Sequence, residues 1–114
     1  MSKALIILLI HIYSAQYGAD PDFCVAVATI ESRLKCGPLG KSGRFIGPMG
    51  IAKCFRAKWD IDDPATNIEV GVRALRGADK RRVLRRYNTA FSEGYYRAVM
   101  AIYWQAKREG KFDG

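Results

Sequence analysis

The chain has 114 residues and a mass of 12.8 kDa, with 49% hydrophobic and 26% charged residues. It is long enough for one modest core, too short for a two-domain enzyme or a long repeat array, and too apolar for a disordered segment. Nineteen Lys and Arg against eleven Asp and Glu give a formal net charge of +8, which points to an anionic partner: nucleic acid, a membrane surface, or a polyanionic polymer such as a cell wall.

Taken in chain order, the sequence predicts helices joined by short loops, and the fold class is mainly α in one domain over 1–114. Lys3 followed by Ala4-Leu5-Ile6-Ile7-Leu8-Leu9-Ile10 has the look of a signal-peptide apolar region, but it falls far short of the ~20 apolar residues that span a bilayer. Tyr13 is a poor fit three residues before a cleavage at Ala15. The apolar run continues to Tyr17-Gly18, so a buried first helix over about 3–17, stopped by a glycine, is the favoured reading. Asp20-Pro21 supplies a cap and a first-turn proline for a second helix to about Leu34. Residues 35–50 carry five glycines and two prolines and predict a loop holding a bend or small hairpin. A short helix near 52–58 follows. Asp63-Pro64 repeats the cap signal and opens a helix to about Arg76. A basic helix spans about 79–87, and the last covers about 92–109. No segment alternates cleanly as a strand.

Three cysteines, Cys24, Cys36 and Cys54, are an odd count without a Cys-x-x-Cys pair, and His11 is the only histidine. Core thiols, or one bridge (Cys36 with Cys54) plus a free thiol, both fit. A structural zinc site lacks a convincing ligand set. Histidine-based nucleophilic schemes would all have to use His11, which reads as a packed residue of the first helix.

One carboxylate stands out. On the second helix Phe23, Val27, Ile30 and Leu34 form an apolar stripe, and Glu31 sits at its edge beside Cys24, Val27 and Ala28. No other acid occurs between Phe23 and Trp59. Apolar surroundings and the negative end of the helix dipole both disfavour ionisation, so the pKa of Glu31 should be raised. A carboxyl kept protonated near neutrality is what a general acid requires. The competing reading pairs Glu31 with Arg33 or Lys35 on a solvated edge. The glycine-rich loop that follows would let backbone approach a ligand closely.

Five segments then carry a resemblance. They are Glu31-Ser32, Gly47-Pro48-Met49-Gly50-Ile51, Asp63-Pro64-Ala65-Thr66-Asn67-Ile68-Glu69-Val70-Gly71 with Leu75, Tyr87-Asn88-Thr89-Ala90, and Tyr95 with Val99. In this order the chain resembles, from about Tyr17 to Val99, the catalytic domain of lytic transglycosylases in the lysozyme-like superfamily that includes goose-type lysozymes. Gly50 stands where that family usually has glutamine, Pro48 where it has leucine, and Ala90 where it has glycine. The resemblance implies a compact lysozyme-like helical domain with Glu31 as its catalytic acid. It also implies that Ser42 and Met49 line the cleft beside Glu31, that Tyr87 and Asn88 stand opposite, and that Tyr95 lies near the acid. Asn67 and Gly71 read as structural, an early helical turn and a close helix contact.

Most glycosidases use two carboxylates, about 5–5.5 Å apart for retention and about 6.5–9.5 Å for inversion. Here the next acids after Glu31 are Asp60, Asp62 and Asp63, the last committed as a cap. One acid without an evident partner fits the transglycosylase route that the resemblance implies. In it Glu31 protonates the oxygen between N-acetylmuramic acid and N-acetylglucosamine, then accepts the proton of the muramoyl 6-hydroxyl as that oxygen closes on C1. A hydrolytic muramidase on the same bond is the runner-up.

No cofactor or metal is expected, the partner is the peptidoglycan glycan strand, and a monomer without a membrane span is anticipated. The place of action is the bacterial cell wall, whether from the periplasm or as a released phage endolysin. The basic cluster Lys80, Arg81, Arg82, Arg85 and Arg86 reads as a solvated helix face, with attraction to anionic wall polymer as its functional version. A basic nucleic-acid-binding module is the alternative of another class. It accounts for the charge but finds no helix-turn-helix, zinc finger or aromatic RNA-binding signature. An inactive wall-binding relative is a third.

Overall fold

The computed structural model describes residues 1–40 and 43–109. Ser42 lies outside the described residues. The chain is mainly α: the described residues form five α-helices, with a small three-stranded sheet between the second and third.

Helix α1 (Lys3–Tyr17) starts where the Ser2 hydroxyl accepts from the Leu5 N–H at 3.1 Å, and ends at Gly18 in the left-handed region, φ 74°. Ile6, Ile10 and Ser14, spaced four apart, are buried, while Leu5, Leu8 and Ile12 remain exposed. Only one stripe of this apolar helix enters the core, against α2 (Pro21–Ser32) and α3 (Pro64–Ala74). No described helix is long and apolar enough to cross a membrane.

Helix α2 is the centre of the molecule. The Asp20 carboxylate caps its first turn, accepting from Asp22 and Phe23 N–H groups, with Pro21 just inside. Every residue from Asp22 to Ala28 is buried. Apolar burial of this kind contributes about 1.5–3 kcal/mol for each large side chain. Helix α5 (Glu93–Glu109) packs along α2. There Phe23 meets Tyr103 edge to face at 6.2 Å, the Tyr103 hydroxyl donates to Asp20 Oδ2 at 2.7 Å, and Lys107 pairs with buried Asp22 at 2.7 Å.

Helix α2 stops two residues before the expected Leu34. Arg33 and Leu34 both take positive φ, 56° and 60°, a conformation that costs roughly 1–2 kcal/mol for an L-residue with a Cβ. A compensating anchor is Ser32: its hydroxyl contacts Ala28 O at 3.1 Å and Pro48 O at 2.6 Å, and accepts from Lys35 N–H at 3.2 Å.

The glycine-rich segment is more regular than its composition predicts. Strands β1 (Pro38–Leu39), β2 (Phe45–Ile46) and β3 (Ile51–Ala52) form an antiparallel sheet in that order, with Pro38 opposite Ile46 and Ile46 opposite Ile51. Each strand is two residues long, too short for apolar alternation to show. The short helix expected near 52–58 is a 3₁₀ turn over Lys53–Ala57. In this register Cys36 precedes β1 and Cys54 follows β3, at opposite ends of the sheet. Both are exposed and unpaired, and Cys24 is a buried core thiol.

Helix α3 is capped by Asp63, whose carboxylate accepts from Thr66 N–H at 3.0 Å. Helix α4 (Lys80–Tyr87) is capped by Asp79. Most of its basic cluster is tied down: Lys80 pairs with Asp20, Arg81 pairs with Glu93 and lies over the Tyr96 ring, and Arg85 lies over Phe91.

Candidate active site

Glu31 is on the last turn of α2, half-buried, and it lines an open cleft of about 730 Å³. Loss of water around the carboxyl pushes its pKa up from an ordinary 4.5 to about 7. The Tyr95 hydroxyl partly offsets this rise, although it lies outside strict hydrogen-bond geometry and its buried oxygen has no formed partner. The arrangement is an acid about half protonated at neutral pH beside a phenol that steadies its ionised form. No ion pair joins Glu31 to Arg33 or Lys35 among the described residues.

The glycine turn is what lets the cleft floor reach this carboxyl. Gly50 has φ 61°, and a Cβ on it would stand 3.0 Å from Glu31 Cβ and 3.1 Å from Glu31 Oε2. Gly47, φ 75°, presses still closer on Asn67: a Cβ there would come within 2.4 Å of the amide nitrogen. Asn67 is completely buried on α3. It accepts from Met49 N–H at 3.0 Å and donates to Ile46 O at 2.8 Å and Ile61 O at 3.0 Å. One side chain thus fastens the turn to the helix below it. Its structural role is larger than the early helical turn predicted for it.

Met49 is not on the cleft wall. Its side chain is fully buried against Gly71 of α3, where a Cβ would approach within 2.4 Å of it. What Met49 gives the site is its carbonyl, which accepts from the Tyr87 hydroxyl. The missing Cβ of Gly71 opens the slot that draws the methionine inward; the contact it makes is with this turn, not the close helix packing expected of that glycine.

Tyr87 and Asn88, at the end of α4, line the cleft with Glu31. Burial and then the nearby Glu31 charge push the Tyr87 phenol well above its usual range. It therefore stays a neutral donor to Met49 O. The Asn88 side-chain Oδ1 accepts from Ala90 N–H at 2.9 Å. Tyr95, on α5, has its phenol raised by burial and by Glu31, with Asn88 acting in the opposite direction. Tyr95 therefore bridges the electrostatics of Glu31 and Asn88.

An aromatic wall escaped the sequence reading. Phe45, Phe55 and Trp59 line the cleft, and Phe45 and Phe55 are nearly half exposed, with Phe55 and Trp59 rings 5.6 Å apart. The signal was available in the outward position of Phe45 next to inward Ile46, but only once a strand is assigned there. Such a wall offers flat apolar faces to a ligand. On another side the cleft is cationic, bounded by Arg73, Arg76 and Arg86.

Glu31 is the sole carboxylate among the described lining residues. Asp60 does not line the cleft, Asp62 is held by Arg56 at 2.8 Å, and Asp63 caps α3. No histidine or cysteine lines it either; His11 is half-buried on α1. Among the described residues no group of three His, Cys, Asp or Glu side chains could hold a metal ion. No family model, curated protein or solved structure matches the chain.

Proposed function

We propose that this chain cleaves peptidoglycan, breaking the β-1,4 bond between N-acetylmuramic acid and N-acetylglucosamine as a lytic transglycosylase with Glu31 as its acid and base. The observation that carries the reading is the state of Glu31: a carboxyl with pKa about 7, facing an open cleft with no second carboxylate among the described lining residues. The order of the five motif segments supports it independently.

A protonated Glu31 donates to the glycosidic oxygen as the bond to C1 breaks, and N-acetylglucosamine leaves as a neutral alcohol. The ionised carboxylate, steadied by Tyr95, then accepts the proton of the muramoyl 6-hydroxyl. That oxygen bonds to C1 and closes a 1,6-anhydro ring. Glu31 ends protonated and no water is consumed. A pKa near the working pH lets one group serve both steps. Phe45, Phe55 and Trp59 offer the sugar rings stacking faces, and Asn88 offers polar contacts. The place of action in this reading is the bacterial cell wall.

The test is clearing of purified cell walls by the protein and by Glu31→Gln. Clearing should fall on the order of 10²–10⁴-fold in the variant, while sedimentation with intact walls is retained. Equal clearing by both proteins would remove Glu31 from the chemistry.

A further inference from the structure

Beyond Glu31 and the aromatic wall, the cleft continues along the end of α3 and along α4. Arg73, Arg76 and Arg86 line it there, and the same three residues, with Ala74 and Gly77, line an adjoining depression of about 520 Å³. Glu31 borders the cleft but not this depression. No carboxylate lines the depression, and among the described residues none of the three arginines is in an ion pair.

Neutral acceptors hold the cluster in place. Arg86 Nη2 donates to Ala74 O at 3.2 Å and Arg76 O at 3.1 Å, Arg76 Nε donates to Arg73 O at 2.8 Å, and Arg73 lies 5.3 Å from the Tyr17 ring centroid. Satisfying the last carbonyls of α3 explains two of these side chains. It does not explain gathering three like charges around one concave surface. A guanidinium has five N–H donors, and these contacts use only part of them. The concave surface therefore keeps both its positive charge and spare donors in fork geometry, which suits carboxylates.

We propose that this arginine-lined extension binds carboxylates of a peptide carried by the glycan, so that the substrate is a peptide-bearing strand and not bare polysaccharide. This rests on the peptidoglycan reading above. The lactyl carboxylate of a peptide-free muramic acid is attached directly beside its ring and stays with the sugar in the part of the cleft that Glu31 borders. A stem peptide presents several carboxylates many bonds from the ring, and the depression adds the room they need.

The experiment uses the Glu31→Gln protein, which should bind without cleaving, and titration calorimetry. The probes are a short muramic acid–glucosamine oligosaccharide with tetrapeptide stems, the same oligosaccharide without peptide, and a neutral chitin oligosaccharide. The peptide-bearing probe should bind about tenfold or more tighter than the peptide-free one. That advantage should shrink as salt is raised, and it should vanish when Arg73→Gln and Arg76→Gln are added. Equal affinity for the two muramic acid probes, or an advantage that survives both arginine substitutions, overturns the inference and leaves the peptidoglycan reading standing. Should the arginine variant not fold, the salt series on the parent decides, and a salt-independent advantage overturns it. Absence of binding by either muramic acid probe overturns the peptidoglycan reading itself.

Discussion

Gly50 and Glu31 touch so closely that the Cβ which Gly50 lacks would fall 3.0 Å from Glu31 Cβ and 3.1 Å from its Oε2. The position is doubly restricted, because φ is also 61°. Gly50→Ala should therefore destabilise the protein by roughly 1–3 kcal/mol, from left-handed backbone and crowding together. Wall clearing should drop as Glu31 is displaced. Urea unfolding and a clearing assay at matched folded concentration check both, and an alanine variant of unchanged stability would contradict the contact.

Glu31 also predicts how stability depends on pH. Its pKa rises from 4.5 unfolded to about 7 folded, so between these values the folded state holds more protons than the unfolded one. Stability then decreases as pH increases across that window, by about 3 kcal/mol at most. Glu31→Gln removes this titration. The stability of the parent minus that of the variant should fall from pH 4.5 to pH 7 and be flat on either side. A difference that rises with pH would contradict the raised pKa.

Tyr95→Phe tests the phenol beside the acid. Since the hydroxyl holds the Glu31 pKa down against the effect of burial, its removal should move the alkaline limb of the pH–activity profile upward. A limb that stays in place, or moves toward acid, would show that Tyr95 does not steady the carboxylate.

Asn67 is the clasp of the cleft floor. Asn67→Ala abandons three buried hydrogen bonds, to the Met49 N–H and to the Ile46 and Ile61 carbonyls. A loss of roughly 2–4 kcal/mol is expected. Ser32→Ala, which frees one anchor between α2 and Pro48, should cost about 1–2 kcal/mol. Chemical denaturation gives both values, and the reverse ranking would mean that Ser32 is the main fastening of the turn.

The helices were legible because their ends are written in short-range chemistry. Asp20-Pro21 and Asp63-Pro64 cap α2 and α3 as read, and Gly18 stops α1. Glu31 was legible as the one acid beside an apolar stripe. Other features depend on contacts distant in sequence. The sheet has two-residue strands held by partners and glycine turns, which leave no periodic trace. Met49 was assigned to the cleft from its neighbours in the motif, but the slot that takes it inward is made by Gly71, twenty-two residues later. Phe55 and Trp59 line the cleft from the 3₁₀ turn and the residues just after it, a segment too short to leave a periodic trace.

The central claim, one carboxyl that first gives and then takes a proton, is tested most directly by mass spectrometry of fragments released from purified peptidoglycan. The account predicts muropeptides ending in 1,6-anhydromuramic acid, one water lighter than hydrolytic products, from the parent protein and none from Glu31→Gln. Reducing muramic acid ends would contradict the cyclising step and leave a hydrolytic muramidase. The same fragments from both proteins would contradict the role of Glu31 altogether.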